Sequence, residues 1–205
     1  MALKLHEYQQ RAVDFMMAHP HCILSVGMGL GKTASVLHYL DRLRPSTCLI
    51  VAPKRVAETV WRQEAEKWGL WTMAENMVVV KGTPAQRRKA WDDAMHPYKV
   101  VGRDNLGDLF DKAHPSRPLR DFEVVVLDEL TSFKAIGSKR TQHVFHLAKS
   151  AQRAIGLTGT FLANGAIDIF AQCASVGLTA DLKEFYSWRA RYFKDVMAGS
   201  GMAWH

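Results

Sequence analysis

Gly27-Met28-Gly29-Leu30-Gly31-Lys32-Thr33 follows the apolar run 22–26 and opens the amphipathic segment 32–43, an order of strand, glycine-rich loop and helix. That order is what a phosphate-binding loop requires. Glycines let successive backbone N–H groups converge on phosphate oxygens, and the helix N-terminus adds a dipole that favours an anion. In such a loop Lys32 reaches the β- and γ-phosphates and the Thr33 hydroxyl ligates Mg²⁺. One departure stands in the stretch: the general pattern has a small residue five positions before Gly31, and this chain has Val26.

Outward from the loop, short apolar runs alternate with amphipathic stretches. Upstream, Leu5, Tyr8, Ala12, Val13, Phe15 and Met16 recur at helical spacing until Pro20. Downstream the pattern predicts strands over 47–52, 77–81, 98–101, 123–127 and 153–157, with helices over 54–68, 84–94, 104–112 and 138–149. Strands apolar throughout, such as Val124-Val125-Val126-Leu127, suit a buried, mostly parallel sheet covered by helices on both faces. The fold class is therefore α/β, in three layers. Residues 113–120, AHPSRPLR, read as a surface loop.

Two further clusters fall at strand ends, where open α/β sheets bind ligands. Asp128-Glu129 closes the run 124–127; Asp128 is a candidate Mg²⁺ ligand and Glu129 a candidate general base that orients and deprotonates water. Leu157-Thr158-Gly159-Thr160, with Asn164 shortly after, places small hydroxyl residues where they can bond the acidic pair or phosphate-linked water.

The formal charge of +7 favours a polyanionic partner such as nucleic acid. Cys22, Cys48 and Cys173 are widely spaced and read as small core residues, neither a disulfide framework nor a zinc site. His19, His21 and Cys22, and His143 with His146, read as ordinary histidines and a core thiol, not a metal centre; Arg87-Arg88-Lys89 reads as a solvated helix face. The six tryptophans read as core or interface anchors. With no apolar run near the eighteen or so residues that span a bilayer, the expectation is a soluble, cytoplasmic protein away from membranes.

Taken together, these residues resemble a family. Leu5-His6-Glu7-Tyr8-Gln9 is similar to the adenine-reading Q motif, GMGLGKT to motif I, Leu49 to Pro53 with Trp61 to motif Ia and its helix, Asp128-Glu129-Leu130 to the DEAD/DEAH box, and LTGT with Asn164 to motif III of superfamily 2 helicases of the Swi/Snf-like branch. Glu184-Phe185 and Arg189 to Phe193 resemble the segment after motif III, and Arg103-Asp104-Asn105-Leu106 the compact phage and prophage form. Motif II ends Leu130-Thr131, where the better-known boxes end Ala-Asp or Ala-His.

The resemblance implies a RecA-like P-loop ATPase lobe over 1–178 and a helical extension over 179–205 that leads to a second lobe, in a bacterial or phage-infected cell. It implies ATP and Mg²⁺ as cofactors, with Gln9 on the adenine, Gly27, Met28, Gly29, Leu30, Gly31, Lys32 and Thr33 on the phosphates, Lys32, Asp128 and Glu129 catalytic, Thr33 and Asp128 on the metal, and Thr158, Gly159 and Thr160 coupling hydrolysis to movement. Its partner is duplex DNA, with Lys54, Arg55, Arg103, Lys134, Lys139 and Arg140 as candidate phosphate contacts. The second lobe, in cis or in trans, brings an arginine finger worth about 10³ to 10⁵ in rate, so the lobe alone is expected to turn over weakly. Two other readings stay open. One is a nonhydrolysing, nucleotide-gated module that holds DNA or protein. The other is a small-molecule kinase, for whose arginine-rich lid only Arg189 and Arg191 lie close together late in the chain.

Overall fold

A computed structural model describes residues 3–110, 118, 120–160 and 166–193. Its centre is one sheet of six strands: β1 (His21–Ser25), β2 (Cys48–Ala52), β3 (Met77–Val80), β4 (Tyr98–Gly102), β5 (Val124–Leu127) and β6 (Arg153–Thr158). They lie in the order β1-β6-β5-β2-β4-β3, and every neighbouring pair is parallel. The expectation of a mostly parallel sheet is met by one that is parallel throughout the described residues. Wholly buried β2 and β5 explain the unbroken apolar runs, while β4, equally buried, carries Lys99, whose ammonium donates to the Asp93 carbonyl.

Alternation along the strands divides the core in two. Cys48, Ile50, Val124, Val126 and Leu157 face one layer, against α1 (Glu7–Ala18), α2 (Lys32–Leu43), α3 (Trp61–Lys67) and α4 (Trp71–Glu75). Leu49, Val51, Val125 and Leu127 face the other, against α5 (Pro84–Asp92) and α6 (Lys139–Ser150). α7 (Asp168–Ser175) and α8 (Glu184–Tyr192) join a smaller cluster in which Phe170 packs against Phe185 and Trp188. This is the three-layer RecA-like arrangement. On α1, Val13 and Met16 are buried while Tyr8 and Phe15 stay exposed, so the apolar stripe read there is wider than the face that packs.

Several elements depart from the sequence expectation. The single helix expected over 54–68 is a π turn, Val56–Val60, running into α3, and Gly69 at φ 74° ends it before α4. Apolar periodicity does not register one extra residue per turn. The helix expected over 104–112 is a 3₁₀ segment, Arg103–Leu109, consistent with its Asp, Asn and Gly, which are weak helix formers. Leu130–Phe133 form a 3₁₀ turn and α7 a helix, neither of which was expected. Of the loop read at 113–120, Pro118 pairs with Phe110 in an isolated antiparallel bridge, and residues 113–117 and 119 lie outside the described residues. Cys22 and Cys48 are buried as expected, but Cys173 is only partly so. Arg87 is no solvated charge: its side chain, 18% exposed, pairs with Asp108 at 2.5 Å and donates to the Gly82 carbonyl.

Gly156, in β6, fixes how closely the strand passes beneath the 3₁₀ turn that follows the acidic pair. A Cβ there would lie 2.8 Å from Leu130 Cδ2 and 2.9 Å from Val176 Cγ1. Gly156→Ala is expected to lower stability by about 1–3 kcal/mol through overpacking, read as a lower urea midpoint with an unchanged slope.

Candidate active site

The β1-β6-β5 neighbourhood gathers three sequence motifs at one edge of the sheet. Ser25 stands opposite Thr158, and Leu127 opposite Gly156, so the segments leaving these strands emerge side by side. Just past β1, the Val26 N–H donates to the Thr158 carbonyl at 3.1 Å. Val26 is not among the described residues with positive φ, so the backbone here adopts no conformation that requires glycine. That need falls on Gly29 and Gly31, at φ 76° and 73°. Gly31 caps α2, and the Lys32 ammonium arches back over the loop to donate to the carbonyls of Val26 at 2.8 Å and Gly27 at 3.1 Å.

Gln9 closes the loop from below. Its Oε1 accepts from the His6 N–H at 2.9 Å, and its Nε2 faces the Leu30 carbonyl at 3.5 Å, which Tyr8 also reaches with its hydroxyl at 3.2 Å. The residue expected on the adenine is thus 4% exposed and engaged with the loop itself, while still lining a cleft of about 530 Å³. That cleft runs from Lys4, His6 and Tyr8 across Gly29 to Thr33 and on to Glu64 and Trp68 of the α3 region. Sequence reasoning missed Glu64 and Trp68 as site residues; the signal was the spacing of Trp61, Glu64 and Trp68 along one helix.

The acidic pair is held from two directions. The Asp128 N–H donates to the Val51 carbonyl at 2.7 Å, and the buried Trp61 indole N–H donates to Asp128 Oδ2 at 3.2 Å. Burial pushes the Asp128 carboxyl above the usual carboxylate range; the Trp61 hydrogen bond opposes this, the Glu129 charge adds to it and Lys32 draws it down. Glu129 sits in the left-handed region at φ 60° and ψ 66°, where a residue with a Cβ carries about 1–2 kcal/mol of strain. Thr131, at the position where motif II departs from the better-known boxes, donates its hydroxyl to Glu129 Oε1 at 2.6 Å.

Thr158 is fully buried, and its hydroxyl donates to the Thr160 carbonyl at 3.0 Å and accepts from the Thr160 N–H at 3.2 Å. Among the described residues it closes its own turn and does not bond the acidic pair, the first of the two contacts expected of it. Gly159 instead meets the loop: a Cβ there would lie 3.1 Å from Met28 Cγ and 3.9 Å from Lys32 Nζ. Asn164 lies outside the described residues.

No group of three or more His, Cys, Asp or Glu among the described residues is arranged to hold a metal. His21 Nδ1 lies 2.8 Å from the Val176 carbonyl, and His143 stacks on Phe110. A magnesium ion that arrives with a nucleotide needs only one or two protein groups beside phosphate oxygens and water. Thr33 and Asp128 match that requirement in number and chemistry.

The six candidate DNA contacts lie on the adjoining ground. Lys54 and Arg55 follow β2, Arg103 follows β4, Lys134 ends the 3₁₀ turn after β5, and Lys139 and Arg140 begin α6. Lys54, Arg55, Lys134 and Lys139 are exposed; Arg103 is half-buried and donates to Ser132, and Arg140 pairs with Asp104 at 2.5 Å. Arg103, Lys139 and Arg140 line one cleft of about 440 Å³.

The model of the SNF2-related domain matches residues 8–200. The chain belongs to the SNF2-related domain family. It is 31% identical to protein p41 of Acyrthosiphon pisum secondary endosymbiont phage 1, over 96% of this chain and 44% of that protein. It is 27% identical to SWI/SNF-related matrix-associated actin-dependent regulator of chromatin subfamily A-like protein 1 of Xenopus laevis, over 92% of this chain and 18% of that protein. In fold, this SNF2-related domain matches the Sulfolobus solfataricus SWI2/SNF2 ATPase core in complex with dsDNA, with a TM-score of 0.70 at 22% identity, over 91% of this chain and 39% of that one. It also matches the UvsW helicase from Bacteriophage T4, with a TM-score of 0.60 at 15% identity, over 85% of this chain and 58% of that one. The chain spans less than half the length of the phage and Xenopus relatives. No helix among the described residues is long and apolar enough to cross a membrane.

The loop geometry makes Gly31 the sharpest point to test. A Cβ at Gly31 would fall 2.1 Å from Gln9 Nε2, on a backbone at φ 73°. Gly31→Ala is expected to weaken ADP binding at least tenfold by displacing both the loop and Gln9, measured by calorimetric titration, with secondary structure unchanged by circular dichroism.

Proposed function

We propose that this SNF2-related domain is the ATP-binding lobe of a DNA translocase, which hydrolyses ATP to move on duplex DNA once a second RecA-like lobe completes its site. The observation that carries the reading is the meeting of the glycine loop, the acidic pair and the Thr158-Gly159-Thr160 turn on three adjacent strand ends. The chemistry this allows is phosphoryl transfer to water, in which positioning and electrostatics do most of the catalysis.

In this reading the N–H groups around Gly29 and Gly31 and the α2 N-terminus cradle the phosphates. The Lys32 ammonium exchanges its loop carbonyls for β- and γ-phosphate oxygens. Thr33 and Asp128 would hold the Mg²⁺ that accompanies the nucleotide, which would supply charge neutralisation at the phosphates. Glu129, steadied by Thr131, orients a water and accepts its proton. Gly159, packed against Met28 and beside the Lys32 ammonium, passes changes at the loop into the segment after β6. Gln9 and the cleft running to Glu64 and Trp68 take the base and ribose.

The DNA reading rests on the cations at the neighbouring strand ends and on one structural neighbour, an ATPase core in complex with dsDNA. Phosphate contacts position a protein on duplex without reading its sequence, which suits a motor. Residues 1–178 form the lobe in this account, and 179–205 connect it to the second lobe. That lobe supplies the arginine that stabilises charge on the transferred phosphoryl group, so the isolated chain binds nucleotide and turns it over weakly.

Steady-state ATP hydrolysis with and without duplex DNA, together with an ADP titration, tests the proposal. The expected outcome is ADP binding with slow turnover by the lone chain, and DNA-stimulated turnover once a second RecA-like lobe, in cis or in trans, is supplied. Glu129→Gln should lower that turnover at least a hundredfold while keeping nucleotide affinity within about threefold, because the residue acts on the attacking water. A chain that binds no adenine nucleotide would sink the proposal.

A further inference from the structure

Trp61 is fully buried at the start of α3 and is among the largest side chains in the core. Apolar volume alone does not account for it, because its one polar atom is committed to the candidate active site: the indole N–H donates to Asp128 Oδ2 at 3.2 Å. A carboxylate partly withdrawn from water needs donors, and Trp61 supplies one from within the core. The Asp128 main chain is pinned separately, through its N–H to the Val51 carbonyl at 2.7 Å. Backbone pairing fixes where the side chain starts; it leaves the rotation of the carboxylate plane to be set by whatever meets its oxygens.

The local backbone explains how Trp61 comes to point there. The π turn Val56–Val60 immediately precedes it, and one extra residue in a turn rotates all later side chains by about 100° around the helix axis. Trp68, two turns further along, shows the contrast. Its N–H is spent on Glu64 Oε2 at 3.3 Å, four residues back in the same segment.

We propose that Trp61 is a positioning residue for the metal-binding carboxylate: its N–H occupies Oδ2, fixes the plane of the Asp128 carboxylate and presents the other oxygen to the magnesium ion that accompanies the nucleotide. The inference rests on the nucleotide reading above. It also gives the helix after β2, which begins beside the exposed Lys54 and Arg55, a direct hold on the acidic pair.

The experiment compares ADP affinity in magnesium with ADP affinity in a chelator, so that the readout is the metal-dependent gain and not turnover. Trp61→Phe removes the N–H and part of the ring; Trp61→3-benzothienylalanine keeps the ring size and replaces the N–H by sulfur, so the core stays filled if the first variant fails to fold. Both are expected to lose about tenfold or more of the magnesium-dependent gain, with affinity in chelator unchanged. In an Asp128→Asn background neither change should have further effect. Equal weakening with and without magnesium, a gain that survives in the benzothienyl variant, or additive losses with Asp128→Asn would each overturn the proposal while leaving the nucleotide site standing. Failure of the unmodified chain to bind ADP in either condition would overturn the nucleotide reading, and this inference with it.

Discussion

The parallel pairing of β1 with β6, and of β6 with β5, is the constraint on which the rest of this structure depends. It sets Ser25 opposite Thr158 and Leu127 opposite Gly156, and so joins at one sheet edge residues that stand far apart along the chain. The Val26 N–H to the Thr158 carbonyl extends that pairing one step beyond the strand. Had β6 paired elsewhere, the glycine loop and the acidic pair would both survive as sequence, but nothing would hold them at neighbouring strand ends. Two core layers, one on each face, hold the order of strands in place, so packing far from the edge is what makes the edge specific.

Around that edge the fold accepts local costs. Glu129 holds a left-handed backbone that favours glycine, and Asp128 keeps a carboxyl in a partly buried place that disfavours its charge. Each is offset by a specific partner: Thr131 for the first, Trp61 for the second. Strain and desolvation of this kind persist where the surroundings over-determine them, and they gather at sites where geometry matters more than stability. The loop follows the same logic. Gly31 is needed both for its φ and for the space that Gln9 occupies, so one residue serves the turn of the glycine loop and its contact with α1.

How much of this is legible in the sequence follows from the physics of each element. The buried strands announce themselves, because a strand covered on both faces is apolar at every position, as Val124 to Leu127 are. The loop does so because strand, glycines and helix follow one another without a break. The π turn at Val56–Val60 is invisible, since one extra residue in a single turn leaves the short stretches on either side of it each at ordinary helical spacing. Asn164 can be read in sequence but lies outside the described residues. Contacts across the fold are out of reach: no local pattern says that Trp61 donates to Asp128, that Thr131 holds Glu129, or that the Thr158 hydroxyl turns back on Thr160. The cations divide in the same way. Lys54, Arg55, Lys134 and Lys139 stay exposed as a surface reading expects, while Arg103 and Arg140 are partnered by Ser132 and Asp104.

The central claim is that three separate segments make one nucleotide site, and amide hydrogen exchange with and without magnesium and ADP tests it most directly. The account predicts slowed exchange in 27–33, 128–131 and 158–160 together, rising with a single nucleotide saturation curve. Protection confined to the glycine loop, or absent from all three, would contradict it.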